Sequence, residues 1–340
     1  MRIPFEIVKG QLKQALAYRN CPEDKAEKVA HEMARNSLEG TYTHGINRFV
    51  RLLSTIDKGT TRMDVMPEKI HAFGALENYD GQCGLGIVNA WFAMERAIAL
   101  ARTHGVGVVG LRNTNHWLRA ATYGYQACEA GMAGICFTNT MPNMPTWGAA
   151  DKRLGNNPVV FALPRQKGPL VIDMAMSQFS YGALELARLE NRQMPIAAGF
   201  DAEGNLSRDP GAVMQTGRVL PMGYWKGAGF SFLLDAFAAC LSFGKTVADI
   251  ARLQAGEQQM SQVFMAVHYQ MVSPAEETER MLDDLVAFLL DSQKAEGTAR
   301  IVYPGQRAEE MRAENLSKGI PVDERVWAEI VKMSASRFDA

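Results

Sequence analysis

Apolar positions recur with a helical period near both ends of the chain and in shorter, strand-like runs between them. From residue 5 to 17 and from 23 to 38 they return every three or four positions. In the second stretch Ala26, Val29, Ala30, Met33 and Leu38 share one side among charged neighbours. Gly40 ends that pattern, and another opens at Phe49-Val50-Arg51-Leu52-Leu53. From about His71 onward, β-branched or apolar runs alternate with helical ones. The pattern predicts a helix at 87–103, a strand at 106–111, a helix at 118–130, strands at 132–138, 157–163 and 169–174, and a helix after Tyr181. Phe200 to Pro221 is polar and carries Gly and Pro, so it reads as a long excursion of the kind that usually serves function. A strongly apolar helix then runs to about Phe243, followed by a strand at 262–268 and helices near 276–292, 306–318 and 323–336. The order is that of an α/β protein behind a helical N-terminal layer, and two interleaved lobes are expected.

Composition narrows the class. A chain of 340 residues with 47% hydrophobic content can bury a large core. Lys plus Arg total 36 against 37 Asp plus Glu, without long blocks of one sign, so neither nucleic acid nor an anionic membrane is the expected partner. No apolar run approaches the roughly 20 residues of a membrane span, and the N-terminus lacks a signal-type apolar core. The 5 cysteines are scattered, with no Cys-x-x-Cys pair, which fits a reducing cytoplasm. Nothing sets histidines and carboxylates at metal-ligand spacing, so no metal is expected. A small molecule is the expected partner.

The most telling chemistry lies in Thr43-His44-Gly45-Ile46-Asn47-Arg48-Phe49. A histidine and an arginine four apart offer a proton and an anion clamp, which suits a small carboxylate bearing a carbonyl. The run is read as a helix start with Thr41 or Thr43 as N-cap, so that His44 and Arg48 share a face.

Gly105-Val106-Gly107-Val108-Val109-Gly110 matches the dinucleotide fingerprint by letter, but a helix precedes it and the motif itself reads as a strand. The Rossmann context is therefore missing, and a strand with close backbone packing is the better reading. His116 follows in Asn113-Thr114-Asn115-His116-Trp117, a polar patch at a strand end, as a hydrogen-bonding group near substrate. Asp173 closes an apolar strand, an expensive placement without a partner. His44 is the partner predicted, the alternative being that Asp173 caps a helix near Ser177. Trp225-Lys226 before an apolar helix supplies a cation and free N–H groups suited to a phosphate, though Trp225 can also serve as core.

The runs THGINRF, NTNHW, GNNP (155–158), DMAMS and PMGYWKG, with the Pro304-Gly305 turn, resemble the malate/L-lactate dehydrogenase family that lacks a Rossmann fold. The resemblance spans essentially the whole chain. It implies an NAD(P)-binding sheet domain of distinctive mixed α+β fold (71–274), beside a helical domain built from residues 1–70 and 275–340, and a homodimer. It also implies an NAD(P)H-dependent reductase of 2-oxo acids, with His44 as acid/base supported by Asp173. Substrate would be held by Arg48, His116 and Asn156. Cofactor contacts would fall at Pro169, Leu170, Val171, Ile172, Asp173, Met174 and Ala175, at Trp225 and Lys226, and at Gly305, Gln306 and Arg307.

Many members have Thr where Met176 stands, whereas the diketogulonate-reducing branch shares the Met. The implied reaction is therefore hydride transfer from NADH to the C2 carbonyl of a sugar-derived 2-oxo acid. Malate, lactate, ureidoglycolate and cyclic imino acids are the alternative substrates on the same scaffold, and a non-catalytic ligand sensor is the alternative class. The acidic residue suited to ribose hydroxyls is absent near Gly305. Gln306-Arg307 stands there, and an arginine can accept a 2'-phosphate, so NADPH stays open.

Overall fold

The computed structural model describes residues 1–254 and 256–337. A short strand β1 (Arg2–Ile3) leads into α1 (Phe5–Ala17), α2 (Glu23–Leu38), a single 3-10 turn (Tyr42–His44) and α3 (Ile46–Asp57). Val8, Leu12, Ala15 and Leu16 of α1 are buried against the apolar side of α2, as helical spacing dictates. Gly40 sits at φ +83°, the left-handed value that ends the helical run.

The sheet region begins with β2 (Glu68–Phe73) and β3 (Leu76–Asp80), then α4 (Gly86–His104), β4 (Val106–Thr114), α5 (Ala121–Glu129) and β5 (Ala133–Thr138). A small hairpin, β6 (Met144–Pro145) with β7 (Lys152–Leu154), precedes β8 (Val159–Leu163) and β9 (Leu170–Met174). There follow α6 (Tyr181–Leu189), β10 (Gly199–Phe200), β11 (Leu206–Ser207), α7 (Pro210–Thr216), α8 (Trp225–Ser242), α9 (Val247–Leu253) and β12 (Met260–Val267). The stretch from Phe200 to Pro221 is thus not one long loop. It holds all of the β10–β11 hairpin but Gly199, and α7, which Asp209 caps by accepting from Gly211 N at 2.8 Å.

Seven strands make the main sheet, in the order β2-β3-β4-β12-β5-β8-β9. Only β3 and β4 are parallel, joined by α4; the other neighbours are antiparallel. This is the mixed sheet expected, and not a doubly wound parallel one. The glycines of the false fingerprint have a packing role. A Cβ on Gly107 would fall 2.0 Å from the Ala97 carbonyl oxygen of α4, and one on Gly110 would fall 2.1 Å from that of Leu241 in α8. Helices therefore press on both faces of β4. α4 and α5 cover one face, around Val109, Phe264, Cys136 and Val160, while α6, α7 and α8 cover the other, around Val263, Val159 and Met176.

The chain ends with α10 (Ala275–Leu290), α11 (Gln306–Lys318), β13 (Ile320–Pro321) and α12 (Glu324–Met333). β13 pairs with β1, bringing both ends of the chain together. α12 packs on α1 and α3, and Asn315 of α11 donates to the Leu38 carbonyl at 2.9 Å. α10 lies instead on the β8–β9 turn, where Arg165 pairs with Asp283 at 2.8 Å. The core of the helical layer reaches Leu85, Ile87, Val88 and Leu118, so this layer meets the sheet unit where His44 and His116 stand.

Candidate active site

His44 is held by the last turn of α2. Asn36 Nδ2 donates to the His44 carbonyl at 3.0 Å, and Ser37 Oγ accepts from Ile46 N at 2.8 Å. The fit is tight: a Cβ on Gly45 would fall 2.1 Å from Ser37 Oγ. Neither Thr41 nor Thr43 caps the following helix. Gly45 is its N-cap, Ser37 serves the first amide, and Thr43 Oγ1 lies 3.3 Å from His44 Nδ1. His44 and Arg48 consequently come from two adjoining elements, the 3-10 turn and the first turn of α3, rather than one helix face.

His116 follows the end of β4. Asn115 fixes this bend by donating to the carbonyls of Cys83 at 2.8 Å and Gly84 at 3.0 Å. Leu118 N donates to His116 Nδ1 at 2.9 Å, so in the neutral ring Nε2 carries the proton and is the free donor. Trp117 points the other way, into the core against Phe264. The His44 and His116 rings stack with centroids 5.6 Å apart.

Burial depresses both imidazoles. His44 is brought down to about 4 by desolvation and then by the Arg48 and Arg119 cations, against the pull of Glu257. His116 is brought to about 3 by desolvation, with Arg48, His44 and Arg51 adding to the effect and Glu257 again opposing. Glu257 was not anticipated from the sequence. It pairs closely with Arg48 and lies 3.0 Å from Arg51 Nη2. Burial alone would raise its carboxyl, but His116, Arg48 and Arg51 hold it down at about 2. No local signal marks Glu257 in its polar stretch. Only the pairing of Met260 with Thr114, which sets the start of β12 beside the end of β4, delivers it to His116.

Asp173 is not the partner of His44. It accepts from Ala121 N, the first residue of α5, at 2.9 Å, and no hydrogen bond between Asp173 and His44 occurs among the described residues. The register explains this. Val109, Phe264, Cys136, Val160 and Asp173 form one row across five strands, on the face that α4 and α5 cover. Nor does Asp173 cap the helix after Ser177; Ser180 does that, accepting from Ala183 N at 3.1 Å. The Asp173 side chain is exposed to water, although protein crowds round it on the α5 side. Burial raises its carboxyl, with the Ala121 N–H and Arg119 acting the other way. Its link to His44 is indirect, through Arg119, which is ion-paired with Glu39; Arg35 holds the other Glu39 oxygen at 2.9 Å.

The segments named for cofactor meet along β9. At its start, Val171 N donates to the Pro304 carbonyl at 3.2 Å, and Gly305, at φ +102°, leaves no space for a side chain: its Cβ would fall 2.7 Å from the Pro169 oxygen. Gln306 and Arg307 open α11 there, Gln306 Oε1 accepting from Tyr303 N at 3.2 Å and Arg307 exposed. Beyond its end, Met222 N donates to the Met176 carbonyl at 2.8 Å, which brings the start of α8 with exposed Trp225 and Lys226 to the same strand. Pro169, Leu170, Val171, Ile172, Met174 and Ala175 lie between these helix starts. Asn156 is engaged already: its Oδ1 accepts from Asn143 Nδ2 at 2.8 Å and from Thr140 Oγ1 at 3.2 Å. Met176 is fully buried, so its side chain acts through packing.

The chain matches the malate/L-lactate dehydrogenase family over residues 3–331. A 2,3-diketo-L-gulonate reductase of Salmonella newport (strain SL254) is 40% identical over 330 residues, which are 97% of this chain and 99% of that protein. The 2,3-diketo-L-gulonate reductase of Salmonella typhimurium matches to the same extent. Among solved structures, sulfolactate dehydrogenase from Methanocaldococcus jannaschii is 28% identical with a TM-score of 0.87, over 98% of this chain and 96% of that one. Malate dehydrogenase from Pyrococcus horikoshii OT3 is 26% identical with a TM-score of 0.88, over 98% and 94%.

Proposed function

This chain belongs to the malate/L-lactate dehydrogenase family and is an oxidoreductase, and on that footing we propose that it reduces the C2 carbonyl of a sugar-derived 2-oxo acid, 2,3-diketo-L-gulonate foremost. The observation that carries this reading is the convergence of His44, His116 and Arg48 at one point. Arg48 is the carboxylate clamp, because a guanidinium can take a carboxylate with two parallel N–H donors. His116 offers its Nε2–H to the carbonyl oxygen, and His44 delivers the proton as that oxygen becomes an alkoxide. His44 is held near 4 in the free site, so it needs help to be protonated at neutral pH. A second carboxylate arriving beside it supplies that help, since a nearby negative charge favours the imidazolium.

A nicotinamide cofactor, when bound, supplies the hydride. The residues along β9 fit such a group: a strand of five residues spans roughly 17 Å, with a helix N-terminus near each end and the Lys226 cation at one of them. Lys226, Trp225 and Gly305 to Arg307 are the residues we assign to hold it, with NADH as the first candidate and NADPH tested beside it. We also read the enzyme as a cytoplasmic homodimer; its five cysteines are free, and Phe232, Phe237, Leu285 and Phe288 are exposed on α8 and α10.

Oxidation of NADH and of NADPH, measured with diketogulonate, oxaloacetate, pyruvate and a cyclic imino acid, tests the reading. The expected outcome is the highest kcat/KM for diketogulonate with NADH. A higher value for any other acid or imine overturns the substrate, and background rates with all of them overturn the reaction.

A further inference from the structure

Arg48 and Arg51 stand one turn apart on α3, and their guanidiniums converge on a single carboxylate oxygen, Glu257 Oε2. Both side chains of the Arg48–Glu257 pair are largely shielded, 22% and 24% exposed, so the pair is not a loose surface contact. The charged groups facing the two imidazoles are Arg48 and Arg51 from α3, Arg119 from the segment before α5, and Glu257 from the loop before β12. Only Glu257 among them is negative. The arginine that would clamp a substrate carboxylate is therefore already holding one, supplied by the chain itself.

Resting on the reduction proposed above, we propose that Glu257 is a specificity-determining residue: its carboxylate occupies the place on Arg48 that a substrate carboxylate must take. The shared oxygen gives the exchange a low-cost route. Glu257 can release Arg48 and keep Arg51, and the arriving carboxylate then restores the pair on Arg48. Two cations and one anion become two cations and two anions, and no guanidinium is left without a partner. A neutral ligand offers no such replacement. To reach Arg48 it has to leave a partly buried cation unpaired, which is strongly unfavourable. Selection against neutral carbonyl compounds thus comes from the contact they would break, as well as from the one acids make.

The test uses oxalate, a small dicarboxylate that cannot be reduced here, bound to the full-length protein and followed by calorimetry. Glu257→Gln removes the competing charge and is expected to tighten oxalate binding about tenfold, with a matching fall in KM for the 2-oxo acid and a lower kcat, because the negative charge that favours the His44 imidazolium goes with it. Glu257→Asp keeps the charge and should restore the weaker binding. Arg51→Gln has the opposite sign, because Glu257 then has no second cation to retreat to, and oxalate binding weakens by a similar factor. A merely structural Glu257 gives a raised KM, a lowered melting temperature and no gain in oxalate affinity, and that result overturns the inference. Should Glu257→Gln fail to fold, Arg51→Gln decides, unchanged affinity counting against the proposal. Oxalate binding is read without turnover. A wild-type protein that reduces no 2-oxo acid therefore defeats the proposed function, whereas unaltered oxalate affinity in these variants defeats the role of Glu257 alone.

Discussion

The imidazole of His44 lies nearly parallel to that of His116, planes 12° apart and centroids 5.6 Å apart, although one ring comes from the turn after α2 and the other from the bend that follows β4. Two stacked imidazoles at this distance do not both become imidazolium readily, since like charges repel. Their hydrogen bonds distinguish the two rings. His116 has its Nδ1 committed to Leu118 N and is left as a neutral donor, while His44 Nδ1 faces the Thr43 hydroxyl at 3.3 Å, a group that can donate or accept and so suits either protonation state of the ring.

That distinction predicts a pH profile. As the acid/base we propose, His44 must be unprotonated for hydroxy-acid oxidation, so kcat/KM is expected to rise through an acidic limb near 4 and stay level through neutrality. In reduction it falls as pH climbs above that limb. His44→Ala should abolish the limb and lower turnover by roughly a hundredfold or more, with cofactor affinity spared. A limb at the ordinary imidazole value of 6.5 in the wild type counts against this assignment. Stability carries the same sign. Folded His44 and His116 resist protonation down to about 4 and about 3, whereas the unfolded rings accept protons from 6.5 downward. Their contribution is thus full above 6.5 and is lost as pH falls through the folded values.

Asp173 yields a different expectation from the one its sequence position suggested. Its carboxylate serves the first amide of α5, so Asp173→Ala removes a helix-cap acceptor and should cost roughly 0.5–2 kcal/mol in chemical denaturation. Asp173→Asn keeps an acceptor oxygen and should cost much less. Neither change should displace the acidic limb assigned to His44 by more than the small effect transmitted through Arg119. A large displacement with Asp173→Asn would restore the direct partnership that the register of β9 argues against.

Much of this was legible in the chain, for physical reasons that also mark where legibility stopped. α1 and α2 are long and strongly periodic, so their limits at 5–17 and 23–38 follow from spacing and from Gly40. The fingerprint at Gly105 could be refused because a helix precedes it, and the close approaches at Gly107 and Gly110 show what its glycines are for. The partner of Asp173 depends on which face of β9 turns toward α5, and a period of two gives alternation without saying which face is which. Glu257 depends on β12 pairing with β4 across a long separation in sequence, which no local pattern encodes.

Gly86 offers a test of how rigidly the His116 bend must be held. It opens α4 directly beneath that bend, and a Cβ there would lie 2.2 Å from the His116 carbonyl oxygen and 2.5 Å from that of Asn115. Both are backbone atoms, so an added methyl group cannot be accommodated by a rotamer change. Gly86→Ala should therefore destabilise by about 1–3 kcal/mol, as overpacking does, and lower kcat more than it raises cofactor KM. Equal kinetics in the variant would mean that the bend is freer to move than these contacts imply.

The cofactor reading makes a prediction that separates its two cations. Lys226 stands in the first turn of α8 and Arg307 in the first turn of α11, both exposed and both beside β9, at opposite ends of it. A pyrophosphate carries its charge in either cofactor, so the cation near it is needed for NADH and NADPH alike. A cation near the adenosine ribose matters for NADPH alone. Lys226→Met is expected to weaken both cofactors by a similar factor, roughly 1.5–3 kcal/mol, which is the range for hydrogen bonds to charged groups, and the loss should shrink as salt is added. Arg307→Ala is expected to leave NADH nearly unchanged and to raise the KM for NADPH. Steady-state KM values for both cofactors in both variants check this. If Arg307→Ala weakens both equally and Lys226→Met only NADPH, the cofactor lies along β9 in the reverse direction, with its ribose end at α8 and its pyrophosphate at α11.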